Sequence, residues 1–163
     1  TMADRVAVMM DGELLQVDTP RNVYANPSDI RVAEFIGSPK INILQGQVDG
    51  SGKVSVGDRL LAGVYSSVKG TEIKVGVRPE ALTLKDIKAE GLPCRIVHHE
   101  NLGSEAYFHA ELNIGGRVIC RMDASAIDQF STGHEAVIVI DPKNALLFGN
   151  EGQRISTKIK VVA

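Results

Sequence analysis

The chain has no tryptophan and only three tyrosines and four phenylalanines among 163 residues, so any core must be largely aliphatic. It has two cysteines, Cys94 and Cys120, and neither sits in a Cys-x-x-Cys pair. A disulfide scaffold and a zinc knuckle are both disfavoured on that count. There is no basic excess: 18 basic and 20 acidic side chains leave a net charge of −2. Nothing here would neutralise a phosphate backbone, so nucleic acid is not an expected partner. No run approaches the roughly 18–20 apolar residues needed to span a bilayer, and the first residues do not read as a signal peptide. A soluble, cytosolic protein is the expectation. What is present is 44% hydrophobic residues, enough for a packed core, and sixteen glycines, enough for many turns.

The chain opens at Thr1 and enters an apolar run, Arg5 to Met10, almost at once. This reads as a truncated start. Asp11-Gly12 separates that run from Glu13 to Val17, a strong hairpin signal, because a type I′ turn needs positive φ at both central residues. Thr19-Pro20 reads as an N-cap followed by proline at the first helical position. The helix would stop near Asn26-Pro27. Ser28 reads as a second N-cap, for a helix through Ile30, Val32, Ala33, Phe35 and Ile36 that Gly37 and Pro39 end. These forty residues cannot bury a core of their own. They are expected to be disordered before about Ser38 or to pair with a second copy.

From Ile41 onward apolar segments are short and glycine punctuates them. Strands are expected over 43–48, 53–56, 59–62, 73–77, 94–100, 106–112, 118–122, 136–140, 145–148 and 155–161. Residues 124–130 read as the one helix of this half. The fold class is mainly β: many short strands at this spacing suggest a closed barrel or sandwich, preceded by a hairpin and two short helices. Two units are expected, 1–40 and 41–163.

Motifs for chemistry are scarce. The only Gly-Lys pair, Gly52-Lys53, is followed by Val54, and Gln47 stands where the first glycine of a phosphate-binding loop belongs. No Ser or Cys lies in a nucleophile signature. His98 and His99 are adjacent on a strand and must face opposite ways. His109 shares a face with Glu111, a pair that reads as a solvated barrel face; a metal-dependent enzyme built on His98, His109 and Glu111 is a distant third reading. Neither catalytic, cofactor-binding nor metal residues are assigned. Two stretches stand out: Gly76-Val77-Arg78-Pro79-Glu80-Ala81-Leu82, where proline stops a strand beside two charges, and the loop Leu102-Gly103-Ser104-Glu105.

Taken in order, Asp4-Arg5-Val6 after Met2-Ala3, the Asp11-Gly12 hairpin, Thr19-Pro20, Asn26-Pro27, Phe35-Ile36-Gly37 and Ser38-Pro39-Lys40-Ile41-Asn42 resemble the end of the ATPase domain of carbohydrate-importer ABC ATPases. The maltose and glycerol-3-phosphate importer subunits are the nearest types. Gly76 to Glu80, Leu102 to Glu105 and Leu147-Phe148 resemble their regulatory TOBE (transport-associated OB) module, an OB-like barrel.

The resemblance implies a non-catalytic regulatory and dimerisation portion of an importer's ATP-binding subunit, for sugars or a sugar phosphate. In such proteins the Walker motifs, the signature motif and the switch histidine lie upstream of the matching region, so ATP and Mg belong to the parent protein and no cofactor is expected here. Implied partners are a second copy, the permease through the ATPase domain, and a regulatory protein or metabolite. The implied location is cytoplasmic, peripheral to the inner membrane. Arg78, Pro79, Glu80, Leu102, Gly103, Ser104 and Glu105 are the expected contact residues, acting by ion pairing and backbone docking. The alternative is a small-oxyanion or metabolite sensor, for which Ser104 and Lys143 are the candidates.

Overall fold

The computed structural model describes residues 4–161. Met2 and Ala3, cited in the resemblance, lie outside them. Strands β1 (Val6–Met10) and β2 (Glu13–Asp18) form the expected hairpin. Asp11 and Gly12 have φ of 51° and 79°, the pair of left-handed residues that the tight turn demands. Helix α1 (Pro20–Ala25) starts as expected, with Thr19 Oγ1 accepting from the Asn22 amide at 3.2 Å. Helix α2 (Ile30–Phe35) is capped by Asp29 and not by Ser28. The Asp29 carboxylate accepts from the Arg31 amide at 2.8 Å, whereas Ser28 donates its hydroxyl to the Leu15 carbonyl at 3.0 Å. Ser28 therefore ties the helix pair back to the hairpin.

Twelve further strands follow: β3 (Asn42–Val48), β4 (Lys53–Val56), β5 (Arg59–Ser66), β6 (Thr71–Val77), β7 (Leu82–Lys85), β8 (Leu92–Asn101), β9 (Glu105–Leu112), β10 (Arg117–Asp123), β11 (Glu135–Ile140), β12 (Leu146–Phe148), β13 (Arg154–Ile155) and β14 (Thr157–Ile159). They make a five-stranded sheet, ordered β10-β9-β8-β11-β7, and a seven-stranded sheet, ordered β13-β12-β6-β3-β4-β5-β14. Neighbours in both run antiparallel. The two sheets enclose one aliphatic core, with Ile73, Val75 and Val77 from β6, Leu82 and Leu84 from β7, Ile96 from β8, Phe108 from β9 and Ile138 from β11. The architecture is the mainly β, OB-like barrel that the strand pattern and the resemblance led us to expect.

Three local expectations change. β7 was not anticipated; it is only four residues long and follows a proline turn directly. Residues 124–128 form a 3₁₀ turn rather than a helix to Phe130, because the stretch is held between β10 and β11 and buries only Ala126 and Phe130. The stretch 155–161 splits, since β13 pairs with β12 while β14 pairs with β5, so the chain must bend at Ser156.

The amino-terminal segment is not left loose. Ile30 and Ala33 pack with Ile41, Leu146 and Phe148, and Val8, Val23 and Val32 form a small cluster beside them. The Ile30 amide donates to the Gly152 carbonyl at 2.8 Å, and the Arg154 amide to the Ser28 carbonyl at 3.2 Å. This replaces the expectation of disorder before Ser38: the helices cover one hairpin face themselves. The other face stays exposed through Met9, Leu14 and Val17. The docking explains Gly76, where a Cβ would lie 3.0 Å from both Ile41 and Phe148. At that point β6 is buried on both faces. Among the described residues no helix is long and apolar enough to cross a membrane.

Candidate functional site

The exit of β6 is the place where the helices, the barrel and an open surface meet. Pro79 cannot donate to a ladder and opens a 3₁₀ turn, Pro79–Ala81, so the chain leaves the sheet directly after Arg78. Arg78 is buried, with 5% of its surface exposed. Its Nη1 donates to the carbonyls of Ala33 at 2.8 Å and Ile36 at 2.6 Å, and its Nη2 to that of Tyr24 at 3.1 Å. These oxygens lie at the ends of α1 and α2, where backbone carbonyls lack helical partners and the helix dipoles are negative. One guanidinium thus caps two helices. It also lies 4.2 Å above the Tyr24 ring, a cation–π contact. Burial pulls the Arg78 pKa below its usual value, while Tyr24 and Glu80 act in the opposite sense.

Glu80 is exposed and accepts a hydrogen bond from the Tyr24 hydroxyl. Burial and this bond to Glu80 push the Tyr24 pKa up to about 12. Arg78 and Glu80 are therefore joined through Tyr24, ring to cation and hydroxyl to carboxylate, and not by a direct ion pair.

Leu102 to Glu105 form the exposed tip between β8 and β9. Asn101 Oδ1 accepts from the Gly103 amide at 2.9 Å, the Leu102 amide donates to the Glu105 carbonyl at 2.8 Å, and the Ser104 carbonyl accepts from Ala124 at 3.1 Å. The amides of Leu102 and Gly103 are thus occupied within the turn. Glu105 lies 3.9 Å from Arg121. Glu80, Ser104, Glu105, Arg121 and Asp123 line one shallow depression of about 430 Å³.

Of the seven expected contact residues, the structure brings together Glu80, Ser104 and Glu105. Leu102 and Gly103 stand at the loop's outer tip. Arg78 and Pro79 lie inside, and this corrects the surface ion pairing expected of Arg78. The sequence reading missed Arg121 and Asp123; their alternation on the strand marks an outward face, but only the packing of the Pro79–Ala81 turn brings Glu80 beside it. Ser104 and Lys143 do not share a depression. Lys143 lines a separate cleft of about 420 Å³ with Arg154, Asn144, Tyr24 and Glu80.

The histidines are also rearranged. Glu111 pairs with Arg117 at 2.5 Å instead of with His109. His109 Nε2 lies 3.0 Å from Glu100 Oε2, and this hydrogen bond holds the Glu100 carboxyl below its usual range. His98 sits beside them.

Comparison with known proteins agrees with this architecture. Residues 75–148 match the family model described as TOBE domain. The chain is 40% identical over 84 residues to an sn-glycerol-3-phosphate import ATP-binding protein of Roseobacter denitrificans, covering 52% of this chain and 23% of that protein. It is 31% identical over 180 residues to a diacetylchitobiose uptake system ATP-binding protein of Streptomyces coelicolor, covering 96% of this chain and 47% of the other. It is 29% identical to the oligosaccharides import ATP-binding protein MsmX of Bacillus subtilis, over 93% of this chain and 44% of that one. The chain spans less than half the length of each of these relatives. Among solved structures, the molybdate-binding protein ModG superposes with a TM-score of 0.50 at 17% identity, over 65% of this chain and 94% of that one, a likeness of fold. Residues 75–148 match the TOBE domain, and over almost its whole length the chain is similar to ATP-binding proteins of sugar uptake and import systems.

Proposed function

We propose that the chain serves as a non-catalytic regulatory and dimerisation portion of an importer's ATP-binding subunit, acting at the cytoplasmic face of a permease. In this reading the ATPase halves of two subunits close around ATP and separate after hydrolysis. The barrels keep the subunits associated through that cycle, and a regulator that binds one state better biases the equilibrium. A sugar or sugar phosphate is the transported class.

The observation that carries the reading is the position of Glu80. It stands on the open polar depression with Ser104, Glu105, Arg121 and Asp123, and through Tyr24 it touches the cation that caps both helices. A partner docked on the depression is thereby in contact with the helix pair. The depression is lined by three carboxylates and one guanidinium, so a two-fold contact over it would set Arg121 of each copy against carboxylates of the other. Sedimentation equilibrium of the purified chain tests this. A dimer is expected, and Arg121→Glu, which removes the one cation lining the depression, weakens it at least tenfold while leaving the circular dichroism unchanged. A chain that stays monomeric at high concentration contradicts the proposal.

A second reading, a small-oxyanion sensor, has one observation in its favour: Lys143 and Arg154 line the same cleft. Calorimetry with molybdate, sulfate and glycerol phosphate distinguishes the two. Heat from any of these, lost in Lys143→Ala, supports the sensor, and silence from all three removes it.

A further inference from the structure

The β8–β9 ladder contains a register shift with a chemical consequence. Ile96 faces Ala110, but the next paired residue is His98, opposite His109, so Val97 is an extra residue in β8. Such a bulge reverses the side-chain alternation beyond it. Without it His98 would follow Ile96 into the core and His99 would point outward. With it His99 turns toward Phe108, at 6.3 Å between ring centroids, and His98 joins Glu100 on the outer face. His109 stands on that face from the adjoining strand.

Three side chains converge as a result. One ligand atom from each of His98, Glu100 and His109 lies within 4.8 Å of the other two. His109 Nε2 and Glu100 Oε2 are 3.0 Å apart, and the two imidazole rings are 5.3 Å apart, centre to centre. Ligands about 2.0–2.1 Å from a tetrahedral zinc ion are roughly 3.4 Å from one another. The His109–Glu100 spacing is already close to this, and rotation of the exposed His98 side chain closes the remainder. From this geometry we infer that His98, Glu100 and His109 form a binding site for a divalent late transition-metal ion, zinc foremost, with the fourth position left to solvent or a further ligand.

The donor set selects the ion class. Two imidazoles and one carboxylate suit zinc, nickel or copper, whereas magnesium and calcium ask for oxygen ligands throughout. The frame is also suited to the task. His98 and Glu100 are two residues apart on one strand, and His109 is fixed opposite by the ladder, so little backbone ordering remains to be done on binding. The site joins only β8 and β9, near the Leu102–Glu105 tip. It does not depend on the dimerisation reading.

The test is calorimetric titration of the chelator-treated full chain with zinc chloride, alongside visible absorbance with cobalt(II), whose intensity reports tetrahedral coordination. One ion per chain is expected, with no heat from magnesium. His98→Asn and His109→Asn should each weaken zinc binding at least tenfold, since even the loss of a group supporting a ligand costs about that much. Glu100→Gln should weaken it too, and His134→Asn, an exposed histidine elsewhere, should not. The exposed His98 variant is expected to keep the wild-type circular dichroism and melting curve, so its loss of binding reports on the ligand. Absence of zinc binding by the wild type, or binding that survives both histidine substitutions, or binding abolished by His134→Asn, overturns the inference.

Discussion

The side-chain amide of Asn42 serves Ile119 as a neighbouring strand would: Oδ1 accepts from the Ile119 amide at 2.7 Å, and Nδ2 donates to the Ile119 carbonyl at 2.9 Å. The same Nδ2 donates to the Val77 carbonyl at 3.0 Å. Asn42 is on β3 of one sheet and Ile119 on β10 of the other. A single buried amide thus stitches the two sheets at an edge where no ladder joins them.

Asn42→Ala leaves those backbone groups without partners in a buried place. The expected cost is about 2–4 kcal/mol, since each orphaned polar group costs on the order of 1–3 kcal/mol. Asn42→Asp should be no better, because a carboxylate cannot donate to two carbonyls. Urea denaturation measures both, and a wild-type midpoint for Asn42→Ala would refute the stitch.

Arg78→Ala removes the shared cap of α1 and α2. Hydrogen bonds to a charged group are worth about 1.5–3 kcal/mol each, and some of the exposed carbonyls would recover water, so a net loss of roughly 3 kcal/mol is expected. Arg78→Lys should recover only part of it, since an ammonium lacks the planar fork that reaches three oxygens and stacks on Tyr24. Hydrogen exchange should accelerate in residues 20–36 before it does in the barrel. Uniform acceleration throughout would argue against the cap.

Tyr24 gives the fold a dependence on alkaline pH. Its hydroxyl ionises near 10 in an unfolded chain and near 12 in the fold, so the folded state holds the proton more tightly. The stabilisation is complete below pH 10 and is lost as pH rises through 12. Tyr24→Phe should cost about 1 kcal/mol at neutral pH, as expected for one hydrogen bond at a half-buried site. The gap between the two proteins should narrow between pH 10 and 12. A gap that widens over that interval would show that Glu80 is not its partner.

Burial pushes the Cys94 thiol up to about 11 and the Cys120 thiol up to about 12. Cys120 also donates to the Leu82 carbonyl at 3.0 Å. Thiolate is the reactive form, so neither residue should take up iodoacetamide at pH 8 until the protein is unfolded in urea. Rapid labelling of the native chain would contradict the packing of β8 and β10.

The sequence discloses features that local chemistry decides. Asp11-Gly12 and Thr19-Pro20 act within a few residues of themselves, and both elements form where expected. The alternation of Ile73, Val75 and Val77 marks β6 because one of its faces is core along its length. What stays hidden is decided by distant partners. Arg78 looks like a surface cation until two helices more than forty residues earlier bring their carbonyls to it. The inserted Val97 has no signature of its own, yet it decides which of two adjacent histidines meets His109. Asp29 outcompetes Ser28 as a cap because the Leu15 carbonyl claims the Ser28 hydroxyl. β7 escapes notice because it begins directly after the Pro79–Ala81 turn, where the proline reads as the end of a strand and not as the approach to another.

The grip of Arg78 on the helix pair is made to main-chain oxygens and to the ring of Tyr24, not to any other side chain. Carbonyls are the same whatever residues carry them. The outward positions of α1 and α2 can therefore drift to suit different neighbours while the anchorage to the barrel stays as it is.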